Sequence, residues 1–377
     1  MKRIRRWLFN GLAALSLVPC VETAALMAIV PVGMVGAIAA VAVSQSTLAS
    51  STAAVVAADA QAGEAPFVQA IRLVKELRRG PDARRIDASA PLNADTAAFL
   101  DRNAAIFDLV HVGAAAHSTD WGVGSGITVN MQQALDQLSG VRSLASLDVL
   151  RARQRWSIQD SLHGQEDMLD ALTLGRNVTH DHPILVVILV QVGIEQMVLT
   201  HWAQLLPTTP AEQLAALPDQ LKQLPDSPSM ADMIRAEQRY AVNSSNVPAG
   251  VAAGMAPFYD SVAASLDQNP TPTPDAFQKT LDDGIAKIGS SSPTSRQMAQ
   301  ILLPSLARVY NTISAVRATR EMFRTGIAVV HDGEGAVVRS VDPFGQGPFE
   351  YAHIAQGFEL RSKLQWNGNA VKLDFGM

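Results

Sequence analysis

The sequence predicts a mainly α-helical protein: an N-terminal transmembrane helix, a helical-hairpin bundle and a small C-terminal β-rich module. Three observations lead there. Apolar residues recur at helical spacing through Leu144–Pro207, four basic residues precede a long apolar run at the N-terminus, and the pattern shortens to a period of two after Gly326. The expected organisation is a signal anchor over 1–45, a flexible stalk over 46–64, an α-helical domain over 65–326 and the β-rich module over 327–377.

In the central stretch, Leu144, Leu147, Leu150 and Gln154 are followed, after a break at Asp160–Gly164, by Met168, Leu169, Leu172, Gly175 and Val178. Both sets lie three or four residues apart, the spacing of one helix face, so the two segments form an antiparallel helical hairpin. A third element opens at His182-Pro183, with Pro183 suited to a first helical turn, and runs apolar to Ile194 before turning amphipathic as far as Leu206. A run this rich in Val and Ile also fits a buried strand; its length, without a turn signal, argues for a helix buried at the centre of the bundle.

At the N-terminus, Lys2, Arg3, Arg5 and Arg6 precede an apolar stretch from Leu8 to Val43. Positive charge stays on the cytoplasmic side, so the body of the chain is expected to be exported. Ala24–Val43 alone is long enough to cross a hydrocarbon core about 30 Å thick. The expected location is the inner membrane, single-pass, with a cytoplasmic N-terminus; secretion after cleavage of a signal peptide is the alternative, and two short spans a third.

Ser44–Gly63 is rich in Ala, Ser and Thr and reads as the stalk. Pro66–Arg79 carries a helical pattern with basic residues at its end, stopped by Gly80-Pro81. A second helix is expected over Asn93–Val110, then an irregular Gly-rich loop over His111–Gly126. Beyond Pro207 the prolines divide the chain into short helices, with further ones over Ser229–Tyr240, Asp275–Ile288 and Ser295–Gly326, and a loop at Asn269–Pro274. Ile327–Val330, Ala336–Arg339, Phe349–Ile354 and Phe358–Leu364 read as strands between Gly-rich turns.

Composition narrows the function. The net charge is −5, and Lys2, Arg3, Arg5 and Arg6 supply four of the 30 basic residues, so the body is more acidic still and nucleic acid is not an expected partner. The single cysteine, Cys20, excludes intramolecular disulfides and cysteine-based zinc sites. No His-Glu-x-x-His, Gly-x-Ser-x-Gly or phosphate-loop pattern is present, and no cofactor is expected.

Several residues could still carry chemistry. Glu195 lies one turn beyond Gln191 on an otherwise apolar helix, so the two are expected to be buried together. A buried carboxylate is either raised in pKa, which suits acid–base work, or paired. Arg151, Arg153, Arg155 and Arg176 of the hairpin are candidate partners, and a structural ion pair is the leading reading. His180 and His182 flank Asp181 at a helix entrance and are candidate metal ligands. His111, His117 and Asp120 form a second cluster, with His117 and Asp120 as further catalytic candidates. Asp342, Pro343 and Gly345 read as a structural turn, and Asp332-Gly-Glu334 and Asn367-Gly-Asn369 as hairpin turns.

A resemblance adds to this. Leu-Arg-Ala-Arg at 150–153, Asp-Ala-Leu-Thr-Leu-Gly-Arg at 170–176 and Val-Gly-Ile-Glu at 192–195 resemble a group of uncharacterised membrane-anchored helical proteins of planctomycete-type bacteria. Asp342-Pro-Phe-Gly-Gln-Gly-Pro-Phe-Glu-Tyr351 and Gly357-Phe-Glu-Leu-Arg-Ser362 are similar to the C-terminal module of that group. The resemblance implies architecture and location and carries no activity. The tail also resembles that of type II secretion pseudopilins, although the N-terminus lacks their Gly-Phe-Thr-Leu-Ile-Glu cleavage pattern. The hairpin over 144–178 is similar to one tetratricopeptide unit.

The expected function is that of a non-catalytic scaffold or accessory protein of the cell envelope. It would be held to the membrane by its N-terminal helix and act by binding another protein. The alternatives are an envelope hydrolase using Glu195 and nearby histidines, and a pseudopilin-like secretion component. The sequence assigns no oligomeric state.

Overall fold

The computed structural model describes residues 65–123, 131–180, 182–243, 248–269, 271–288 and 292–376. The expected anchor and stalk lie outside them. The described chain is mainly helical and ends in a small three-stranded antiparallel sheet.

Helix α1 (Pro66–Arg79) forms where expected, with Pro66 in its first turn, Phe67, Ala70, Ile71 and Val74 buried, and Arg78 and Arg79 at the end that favours cations. The single helix expected over Asn93–Val110 is instead a pair, α2 (Ala94–Arg102) and α3 (Ala104–Ala115). Asn93 caps α2 by accepting from the Thr96 N–H at 2.9 Å, and the Asn103 amide donates back to the Phe99 carbonyl at the break. His111 therefore sits on a helix rather than in the loop expected there.

The central hairpin is α4 (Met131–Ser157) and α5 (Ser161–Asn177), joined by the short turn Ile158–Asp160 with Gln159 in the left-handed region. The chain closes so tightly there that a Cβ on Gly164 would lie 2.5 Å from the Trp156 ring. Helix α6 (Leu185–Leu205) settles the helix-or-strand ambiguity, and Pro183 lies outside its first turn. It packs against α4, α5, a long C-terminal helix and the last strand. Leu185–Thr208 is long and apolar enough to cross a membrane by length and composition, and half of its most apolar window is buried inside the protein. Val187, Ile188, Val192, Ile194, Val198 and Leu199 of this helix are buried among its neighbours.

Next come α7 (Ala211–Lys222), α8 (Met230–Asn243), α9 (Ala249–Gln268) and α10 (Pro274–Ala286). Pro218 and Pro257 lie inside α7 and α9 rather than ending them. Thr273 caps α10, so the Pro-rich loop expected over Asn269–Pro274 leads directly into a helix. Helix α11 (Pro293–Asp332) runs for 40 residues, through the boundary expected at 326/327. Ile327–Val330 is therefore helical, not a strand. Ile327 and Val329 are buried with Phe323, and the helix stops only at Gly333, which adopts φ 90°. Ala336–Arg339 lies in a 3₁₀ helix (Glu334–Arg339), and Asp332-Gly-Glu334 ends a helix rather than turning a hairpin.

The sheet consists of β1 (Glu350–Ile354), β2 (Gly357–Trp366) and β3 (Asn369–Phe375), in that order. Strand β3 was not read from the sequence. Its hairpin turn was, and Asn367 and Gly368 both adopt positive φ, as a two-residue turn requires. Phe358, Leu360 and Leu364 of β2 and Val371, Leu373 and Phe375 of β3 face inward. The Phe375 ring lies where a Cβ on Gly326 would be, so that glycine admits the sheet against α11.

The buried apolar residues form two clusters. One joins α1–α7, the C-terminal half of α11 and the sheet. The other joins α8, α9, α10 and the first half of α11 to Ile188 and Val192 of α6. Helices α6 and α11 belong to both.

Candidate functional site

Glu195 and Gln191 are both buried on α6, each with 3% of its surface exposed, as their spacing predicts. They have separate partners. The Gln191 amide donates to Ser227 Oγ at 2.6 Å, and its carbonyl accepts from Thr179 Oγ1 at 2.8 Å. Glu195 Oε1 accepts from Arg176 Nη2 at 3.1 Å and from Arg320 Nε at 2.8 Å, while Oε2 accepts from Arg320 Nη2 at 2.7 Å. One carboxylate thus ties α5, α6 and α11 together. Burial pushes its pKa up, but Arg320 and Arg176 outweigh burial and hold it below the ordinary glutamate value. An ionised carboxylate with both oxygens engaged is poorly placed to take or give a proton.

Arg176 also donates through Nη1 to the Pro225 carbonyl at 2.9 Å. Around the pair is a cavity of about 10 Å³, lined by both arginines, Glu195, Arg324 and the apolar side chains of Leu172, Leu199, Leu221 and Phe323. That is room for on the order of one water molecule.

Of the four arginines named from the sequence, only Arg176 meets Glu195. Arg151 and Arg155 instead pair with buried Asp167, Arg151 Nε at 3.0 Å and Arg155 Nη1 at 2.9 Å. The Arg151 guanidinium also stacks 3.9 Å over the Phe107 ring. Arg153 donates to the carbonyls of Ala88 and Ala90. The sequence reading missed Asp167 and, beside it, Asp148 and Asp170. Asp148 is 1% exposed, with Oδ2 unpartnered, and burial raises its pKa well above the usual value. Burial outweighs the two arginines to raise Asp167 to about 6, and it raises Asp170 against the opposing His111 hydrogen bond. Arg151 and Arg155 reach Asp167 across the hairpin turn, 16 and 12 residues away in sequence, so the turn itself was the signal that could have found the pair. Arg320 had no such local signal.

The histidines do not converge on Glu195. His111 is exposed on α3 and bonds Asp170 at 2.8 Å, which raises its pKa. His117 is exposed, at φ 49°, and Asp120 accepts from the Gly122 N–H at 2.9 Å as part of its own turn. His180 is exposed, whereas His182 is buried with its ring edge-on to Trp121 at 6.2 Å. Asp181 between them lies outside the described residues. Among the described residues, no group of three or more His, Cys, Asp or Glu side chains is arranged to hold a metal ion.

The structural turn holds together as read. Asp342 is buried; Oδ1 accepts from Ser362 Oγ at 2.8 Å and from the Phe344 N–H at 3.0 Å, and Oδ2 from the Lys363 N–H at 2.6 Å. The Gly345 N–H donates to the Asp342 carbonyl at 3.1 Å, and a Cβ at Gly345 would press on that carboxylate. Pro343 fixes the backbone between them. The turn thereby pins the segment that leads into β1 against β2.

Neither protein-family models, nor curated proteins, nor solved structures give a match to this chain.

Proposed function

We propose that this protein is a non-catalytic scaffold or accessory factor of the cell envelope. It is held in the inner membrane by its N-terminal segment, with the body exported, and acts by binding another protein. The observation that carries the proposal is the engagement of Glu195. The carboxylate that the sequence singles out for acid–base chemistry has both oxygens bonded to guanidinium groups, so it acts as a brace between helices. The histidines that would have to join it have other neighbours. The basic-then-apolar N-terminus supports membrane attachment. The proposal extends to kinship with the membrane-anchored proteins the motifs resemble, and to a tetratricopeptide-like role for the α4–α5 hairpin.

The hairpin tip is the surface we assign to the partner. Ile158 and Leu162 flank the turn there and are 65% and 51% exposed. Two apolar side chains left in water at a rigid tip are available for burial in an interface. The test is in-cell photocrosslinking, with a photoreactive residue placed at Ile158 or Leu162, and at exposed Val242 on α8 as a control. Adducts of one defined mass from the two tip positions, absent from the control, are expected. No adduct from the tip, or the same smear from all three, contradicts the proposal.

A further inference from the structure

The first described helix carries a concentration of positive charge. Between 72 and 85 stand Arg72, Lys75, Arg78, Arg79, Arg84 and Arg85 against Glu76 and Asp82, six basic residues to two acidic, a net of +4 in a chain of net charge −5. The dipole of α1 favours Arg78 and Arg79 in its last turn, and Arg84 and Arg85 continue the charge into the 3₁₀ helix Pro81–Arg85. Several nearby carboxylates are already engaged. Asp136 pairs with Lys75 at 2.6 Å, Asp82 with Arg85 at 3.0 Å, and Asp87 accepts from the Ser89 N–H at 2.9 Å. Glu76 and Asp95 are left as exposed carboxylates. Arg78 is exposed and donates to the neutral Ser139 carbonyl at 3.2 Å, while Arg79 and Arg84 are exposed with no ion pair among the described residues. Arg142, three residues beyond Ser139 on α4, adds a cation to the same corner. Apolar surface lies beside these cations. Arg85 donates to the Asp95 carbonyl at 3.1 Å and lies 5.9 Å over the Phe99 ring, which sets the start of α2 against the basic turn. Pro91 and Leu92, just before α2, are exposed there, Leu92 by 37%.

We infer that this corner is a docking surface for a bilayer bearing anionic phospholipid, with Arg78, Arg79 and Arg84 on the headgroup phosphates and Leu92 dipping among them. Exposed cations beside a small apolar projection suit the boundary between water and acyl chains, where the electrostatic and apolar contributions add. Placement selects a membrane over a soluble polyanion. Helix α1 follows directly on the expected anchor and stalk, and its 14 residues set the patch about 20 Å from its start. A surface so close to a tether meets the bilayer at high local concentration, so weak contacts suffice. The inference rests on the membrane-held reading for this proximity. The chain beyond residue 85 is net acidic and is repelled by the same lipids, so the patch decides which face of the body turns to the membrane.

The test reconstitutes the full chain in vesicles of phosphatidylcholine alone or mixed with phosphatidylglycerol. A fluorophore is attached at Ala94→Cys, or at Ala276→Cys of α10 as a control, both exposed positions, in a Cys20→Ser chain. The readout is quenching by nitroxide-labelled headgroups. Strong quenching from position 94 in the mixed vesicles, with none above background from 276, is expected. The combined Arg78→Gln, Arg79→Gln, Arg84→Gln variant should lower the docked population about fivefold per side chain. High salt should release the parent in the same way, which decides the matter if the variant fails to fold. Flotation of the same samples separates the patch from the anchor. A chain that floats with phosphatidylcholine yet is quenched equally in both lipid mixtures keeps its anchor and overturns the patch. A chain that floats only with phosphatidylglycerol, and not as the triple variant, upholds the patch and overturns the anchor. Quenching that neither the triple variant nor salt reduces, including the case where that variant instead loses a copurifying protein, overturns the inference.

Discussion

Arg320 grips Glu195 at two points, Nε to Oε1 at 2.8 Å and Nη2 to Oε2 at 2.7 Å, across 125 residues of sequence. This contact joins α6 to α11, two helices that both run through both cores. Removing one member of a buried ionic group leaves its partner's charge unpaired, which costs about 3–5 kcal/mol. Glu195→Gln is therefore expected to lower the urea-unfolding free energy by about that much. The triple change Glu195→Leu, Arg176→Met and Arg320→Leu, which removes every charge of the brace, should recover most of the loss. A Glu195→Gln protein as stable as the parent would show that the brace is not structural.

The fold was legible where its signals were local. The 66–79 helix and the 144–178 hairpin followed from the spacing of Phe67, Ala70, Ile71 and Val74 and of Leu144, Leu147 and Leu150, although the first hairpin helix begins at Met131, well before the stretch read. The Asn367-Gly368 turn followed from its residue types. What failed depended on contacts distant in sequence. Ile327–Val330 has strand-like composition, but packing beside Phe323 keeps it helical. Pro218 was expected to divide the chain there, yet it lies inside a helix that tertiary packing holds together. At the candidate site, the burial of Glu195 was legible from its apolar neighbours on α6. Its main partner was not, because no periodicity links residue 195 to residue 320.

The buried acidic layer between α4 and α5 predicts an inverted pH response. Asp148 has a folded pKa above its unfolded value, so its contribution to stability is complete at low pH and is lost as pH rises through the folded value. Asp167, raised from 3.8 to about 6, loses its contribution across that interval in the same way. Asp148→Asn cannot ionise and relieves the repulsion on Asp167 and Asp170. Its stability relative to the parent should increase as pH rises, measured by denaturant midpoints. A difference that does not change with pH would contradict this.

His201 predicts the opposite sign. Burial, with Arg153 nearby, lowers its pKa from 6.5 to about 4, so the imidazole is neutral in the folded protein. Its contribution to stability is present above the unfolded value and is lost as pH falls toward the folded one. An NMR titration of the His201 ring should show a midpoint near 4. A midpoint near the ordinary histidine value would mean that the ring is solvated.

Gly326 sets how closely the sheet approaches α11, since any side chain there meets the Phe375 ring. Gly326→Val is expected to destabilise the protein by about 1–3 kcal/mol, the usual cost of overpacking a core. Hydrogen exchange should show protection lost first in β3, with α1–α5 largely unaffected. Uniform loss across the chain would contradict a local role for this contact.

The measurement that tests the scaffold account most directly is affinity purification of the tagged full-length protein from gently solubilised membranes. It compares the parent with an Ile158→Glu, Leu162→Glu variant. Both replaced side chains are exposed, so the variant should fold. The account predicts recovery in the membrane fraction with one stoichiometric protein partner, which the variant loses while keeping its own membrane attachment. Recovery of the parent from the soluble cytosol, or from membranes without a partner, would contradict it.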